Sequence, residues 1–120
     1  MRSPDFYPDA PASVEVVESH ISWVFLAGDR AFKLRKPVTF PFLDYGTPDR
    51  RRRMCEEEVR LGRRLAPDLY LGVRPLVRSH GGWALGASGD PGEEHVVEMR
   101  RFDQACTLAA LVDRFATMQA

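Results

Sequence analysis

The sequence predicts an α+β domain, an antiparallel β-sheet of about five strands with one covering helix. Three observations carry this. Two short apolar runs, Trp23 to Ala27 and Ala31 to Leu34, flank Gly28-Asp29, a turn pair that tolerates positive φ, so they read as a hairpin. Thr47-Pro48-Asp49 opens a helix-like stretch that continues to about Ala66. Two further runs rich in β-formers, Leu71 to Val77 and His95 to Phe102, follow that stretch and supply the rest of the sheet.

The totals bound the function classes. With 120 residues, 44% apolar and 28% charged, the chain is one ordinary globular domain or part of one. Seventeen basic side chains balance seventeen acidic ones, so no global field draws it to nucleic acid or membrane. No apolar run approaches the roughly 18 residues of a membrane span, and the N-terminus lacks the apolar core of a signal peptide. Cys55 and Cys106 are too few and too far apart for a disulfide framework or a zinc site. A cytoplasmic location is the expectation.

Residues 1–13 carry Pro4, Pro8 and Pro11 among small and acidic residues and read as an irregular lead-in. Val14 to Glu18 has β character, and Ser19-His20-Ile21-Ser22 turns the chain into the Trp23 strand. The Ser19 and Ser22 hydroxyls and the turn's backbone N–H groups could face an anion, though serine in a turn is commonly turn chemistry alone. In the Ala31 strand, Phe32 and Leu34 point one way, Ala31 and Lys33 the other. Lysine within an apolar strand is unusual. It is either a solvated edge-strand residue or a cation awaiting a phosphate, with Ala31 leaving room for a flat ring beside it.

Val38 to Gly46 is aromatic and contains proline, and is expected to be an irregular connection. The helix then begins with a capping hydroxyl, proline at its first position and an acid at the positive dipole end, and stops before Pro67. Its apolar stripe is read as Met54, Leu61 and Leu65. Glu58 lies within about 40° of the stripe's centre at roughly 100° per residue. A carboxylate facing the core needs a cation, because leaving it unpaired costs several kcal/mol. Lys33 is the candidate partner; the alternative is a Glu58 that reaches water at the stripe's edge. Ser79 to Glu94 is a glycine-rich hairpin around Trp83-Ala84-Leu85. From Thr107 the spacing of Leu108, Leu111, Val112 and Phe115 predicts an amphipathic helix.

Three strands with a lysine in the third, then a helix with a glutamate, resemble the N-terminal lobe of the protein-kinase-like fold. More narrowly, the wording resembles the aminoglycoside phosphotransferase family, in its bacterial branch of uncharacterised phosphotransferase-like proteins. The residues that carry it are Ser19 to Leu26, Ala31 to Pro37, Phe42-Leu43-Asp44, Cys55 to Glu58, Arg64 to Tyr70 and Met99 to Phe102. The resemblance covers roughly residues 5 to 115, nearly the whole chain. On it the chain divides into a lead-in at 1–13, a kinase-like lobe at 14–103, and the start of a helix at 104–120 leading towards a further lobe.

The resemblance implies roles. Ala31 and Lys33 match the Ala-x-Lys of the third strand, whose lysine grips the nucleotide's α- and β-phosphates. Glu58 matches the helix position that holds this lysine by an ion pair. Lys36, on the Phe32 face and next to Pro37, is the less suitable cation. The turn from Ser19 to Ser22 takes the place of a glycine-rich loop. Met99, Arg100 and Phe102 fall where the strand runs into the hinge between lobes. Backbone groups there would bond the adenine edge, and Met99 either lines that pocket or is plain core packing. ATP or GTP with magnesium is the implied cofactor. The family's His-x-Asp loop, asparagine and metal-binding aspartate have no counterpart after Phe102. This chain alone is therefore expected to lack kinase activity. Nor does it hold the Gly-x-x-x-x-Gly-Lys-[Ser/Thr] of the P-loop domain that some relatives add.

Other readings stand beside this one. Arg50 to Arg53 suggest a nucleic-acid contact, but four consecutive helical residues wrap the helix, and Glu56 to Glu58 offer internal ion pairs. His20, His80 and His95 lack metal-ligand spacing, and Trp23 and Trp83 read as core or hairpin anchors. Three functions follow: the nucleotide-binding lobe of a small-molecule phosphotransferase, a non-catalytic remnant that self-associates through Leu111, Val112 and Phe115, and a basic-helix nucleic-acid module. Nothing in the sequence names the acceptor.

Overall fold

The computed structural model describes residues 1, 6–7, 13–41, 43–79, 82–87, 89 and 91–101. Three strands, β1 (Val14–Glu18), β2 (Ser22–Ala27) and β3 (Arg30–Arg35), lead to a short ladder of β4 (Thr39–Phe40) and β5 (Leu43–Asp44). The helix α1 (Pro48–Leu65) follows, then β6 (Tyr70–Ser79), β7 (Gly82–Leu85) and β8 (Glu94–Arg100). Six strands form one antiparallel sheet in the order β1-β2-β3-β8-β6-β7. The α+β class therefore holds, with six strands in place of about five. Val38 to Gly46 is less irregular than expected, because Thr39 pairs with Asp44 and Phe40 with Leu43.

Local chemistry explains the elements. The β2–β3 turn sits on Gly28 at φ 61°, a left-handed conformation that glycine adopts without a Cβ clash. Ala27 faces Arg30 across that two-residue loop, which sets the register of the hairpin. Thr47 caps α1 by accepting the Arg50 N–H at 3.2 Å, with Pro48 behind it and Asp49 in the first turn. The helix ends at Leu65 before Pro67, as its sequence predicts.

The sheet is covered on both faces. Towards α1, Val24, Ala31, Val97, Met99 and Tyr70 pack against Cys55, Val59 and Leu61. On the other face, Phe25, Phe32, Leu76 and Val96 pack with Tyr7 of the lead-in. Two sequence expectations are corrected here. Leu65 is exposed, while Arg51, Cys55 and Gly62 are buried, so the inward stripe of α1 is rotated towards Cys55 and Glu58. Nor is β3 an edge strand. It lies between β2 and β8, so Lys33 is 2% exposed and the solvated edge-strand reading fails. Among the described residues no helix is long and apolar enough to cross a membrane. Phe102 and the predicted helix from Thr107 lie outside the described residues.

Candidate functional site: a buried carboxylate shared by two cations

Strand alternation turns Ala31, Lys33 and Arg35 towards the helix, and Phe32 and Leu34 away from it. Lys33 is flanked in the sheet by Val24 and Val97, both buried, which leaves its ammonium group the helix side alone. There it meets Glu58, Nζ to Oε1 at 3.1 Å. The predicted partnership is thus formed between a strand and a helix 25 residues apart in sequence. Glu58 is fully buried, and an ion pair in that setting holds only with further hydrogen bonds on the carboxylate.

Those bonds come from residues that sequence reasoning passed over. Arg35 Nη2 donates to the same Oε1 at 2.6 Å, and Tyr70 Oη donates to Oε2 at 3.2 Å. Arg35 also reaches Cys55 Sγ with Nη1 at 3.4 Å, and its guanidinium lies 5.4 Å from the centre of the Tyr45 ring. Burial pushes the Cys55 thiol up to about 11, with the neighbouring Arg35 guanidinium pulling the other way. The signal for Arg35 was present in the alternation that singled out Lys33, since the two share a face at i, i+2. Tyr70 gave no such signal, because only its place at the start of β6 brings it under α1.

Lys36 lies on the Phe32 face as expected, with its ammonium paired to Glu18 and 4.9 Å from the Trp23 ring centre. The Ser19 turn is closed on itself. Ser19 Oγ accepts the N–H groups of Ile21 and Ser22 at 3.3 and 3.1 Å, and the two hydroxyls lie 3.2 Å apart. Ser22 is buried and His20 exposed. Ala31 and Met99 face each other across the β3–β8 ladder, both wholly buried, so they build core. Arg100 is exposed; its N–H donates to Leu69 O at 2.9 Å, and that of Arg101 to Asp29 O at 2.8 Å. These two arginines border an open hollow of about 400 Å³ with Ala66, Pro67 and Leu69. A second, apolar cavity of about 710 Å³ opens on the opposite face, lined by Trp23, Phe25, Leu34 and Leu76.

The arginine run separates by direction. Arg52 pairs with Asp49 and Glu56 at 2.6 and 2.8 Å, and Arg53 with Asp49 at 3.0 Å, on the water side. Arg51 is an internal anchor instead. It bonds Tyr45 O at 2.7 Å and grips the Glu94 carboxylate with Nε and Nη2 at 3.1 and 2.9 Å. The run is not a single basic face. Among the described residues no three His, Cys, Asp or Glu side chains are grouped to hold a metal ion.

No protein-family model matches the chain. No solved structure matches it. The chain is 42% identical over 99 residues to an uncharacterized protein of Mycobacterium bovis and to uncharacterized proteins of two Mycobacterium tuberculosis strains. Each match covers 82% of this chain and 18% of the relative, so the chain spans under a fifth of the length of the curated relatives it matches.

Proposed function

We propose that this chain is the nucleotide-gripping lobe of an ATP-dependent phosphotransferase acting on a small molecule, of the kind the sequence resembles. One observation carries the reading: a lysine in the third strand is ion-paired at 3.1 Å with a glutamate on the following helix, and both are buried. That constellation suits phosphate recognition, in which a lysine on the sheet presents a point charge to the phosphates. The plainer alternative, a buried ion pair kept for packing alone, is a poor source of stability, since desolvation offsets much of the Coulomb gain.

In this reading Lys33 Nζ holds the α- and β-phosphates, and Glu58 is its ion partner when no ligand is bound. The strand end at Arg100, beside the hollow it borders with Ala66, Pro67 and Leu69, is where a base would lie. Magnesium, when bound with the nucleotide, supplies neutralising charge to the phosphates. The resemblance assigns its ligands and the residue that orients the acceptor to a further lobe.

The test is titration of the full chain with magnesium-ATP, followed by calorimetry, for the native sequence and for Lys33→Ala. Saturable binding that falls at least tenfold in the variant supports the reading. Equal binding by both, or no binding by the native chain, overturns it for this chain.

A further inference from the structure

We propose that Arg35 is the residue that fixes Glu58, so that Lys33 can be lent to a phosphate without stranding the carboxylate. The inference rests on the nucleotide reading above and assigns a positioning residue to the same site. Its basis is an asymmetry. One oxygen, Oε1, takes both cations, with Arg35 at 2.6 Å and Lys33 at 3.1 Å. The shorter contact belongs to Arg35, whose guanidinium makes further contacts on the helix side. The Arg35 side chain is wholly buried, reaches Cys55 one helical turn before Glu58, and lies against the Tyr45 ring. Oε2 is held separately by the Tyr70 hydroxyl at 3.2 Å.

The physical consequence follows from what a buried carboxylate tolerates. Were Lys33 its only cation, turning the ammonium towards a ligand would leave Glu58 uncompensated, and the ligand would have to overcome that penalty. With Arg35 and Tyr70 in place, Glu58 keeps a charge-assisted bond and a hydroxyl donor whichever way Lys33 points. Lys33, a point charge on a flexible stem, suits the moving part, and the planar guanidinium suits the fixed one. The i, i+2 spacing on one strand is what lets both reach a single carboxylate.

Two measurements on the full chain test this: thermal melting and magnesium-ATP titration, for Lys33→Met, Arg35→Met and Arg35→Lys. The melting midpoint should fall markedly in Arg35→Met and only slightly in Lys33→Met, because Glu58 keeps its anchor in the second. Equal falls, or the reverse order, overturn the proposal. Arg35→Met should weaken nucleotide binding about tenfold although Lys33 remains, and Arg35→Lys should restore part of it. Native affinity in Arg35→Met overturns the proposal. Should Arg35→Met give no cooperative melt, Arg35→Lys decides, with a several-fold loss expected and unchanged affinity refuting. If the native chain binds no nucleotide, the phosphotransferase reading fails, and the order of the melting midpoints still decides whether Arg35 is the anchor of Glu58.

Discussion

Replacing Gly62 by alanine should destabilise the domain, although the same change in an exposed helix would stabilise it by about 1 kcal/mol. Gly62 is buried on α1, and a Cβ built there would stand 2.4 Å from Cδ2 and Cε2 of the Tyr70 ring and 2.6 Å from Cζ. Ordinary contact begins at 3.4 Å, so the ring must retreat by about 1 Å. Tyr70 is 2% exposed, and its hydroxyl already spans 3.2 Å to Glu58. Overpacking costs about 1–3 kcal/mol, and a buried hydrogen bond to a charged group adds about 1.5–3 kcal/mol if lost. After the gain in helix propensity, a net loss of about 1.5–5 kcal/mol is expected, roughly 5 °C or more in melting midpoint for a domain of this size. Urea denaturation followed by circular dichroism measures it. Tyr70→Phe supplies the control, because Gly62→Ala should cost less in that background, where no hydroxyl bond remains to break. A Gly62→Ala chain as stable as the native one would refute the reasoning, and with it the claim that Tyr70 is rigidly held against Glu58.

Two further outcomes are expected. Cys55, buried and pushed up to about 11, should resist iodoacetamide at pH 8 in the folded chain and react only in denaturant, read by mass spectrometry. Rapid native labelling would place the thiol outside the core. His95 is held below its ordinary value, chiefly by burial and then by Arg52, and its Nδ1 has no hydrogen-bond partner among the described residues. Its neutral form is the one the fold accepts, so the unfolded chain binds the proton more readily. Its contribution is thus fully present above about pH 6.5 and is lost as pH falls below that. Melting midpoints should drop from pH 7.5 to 5.5, less steeply in His95→Gln; identical slopes would exclude His95 as the cause.

Much of the fold was legible because its signals are local. Apolar alternation around Gly28-Asp29 marked the hairpin, and Thr47-Pro48-Asp49 marked the helix start to the residue. The pairing of Lys33 with Glu58 was legible too, since a carboxylate facing the core demands a cation and one apolar strand offered it. Leu65 misled because the apolar count along α1 ignores what the sheet presents to it. The true stripe is set by Cys55, Glu58 and Gly62, which fit against Arg35 and Tyr70. Arg51 was invisible for a related reason. In a run of four arginines nothing local separates the one that turns inward, and its partner Glu94 lies 43 residues away.

By itself, then, the sequence determined the main strands and the helix but not the β4–β5 ladder, along with the turn and cap chemistry and which face of β3 carries charge. These follow from the fixed periods of strand and helix and from the few residues that tolerate a turn or satisfy a free N–H group. Only the tertiary structure decided that β8 lies between β3 and β6, that Lys33 is therefore interior, and that Glu58 is shared with Arg35 and bonded by Tyr70. Strand order and the sharing of one carboxylate are long-range choices. They depend on which surfaces fit once every element competes for the same core, and no window of the chain contains that competition.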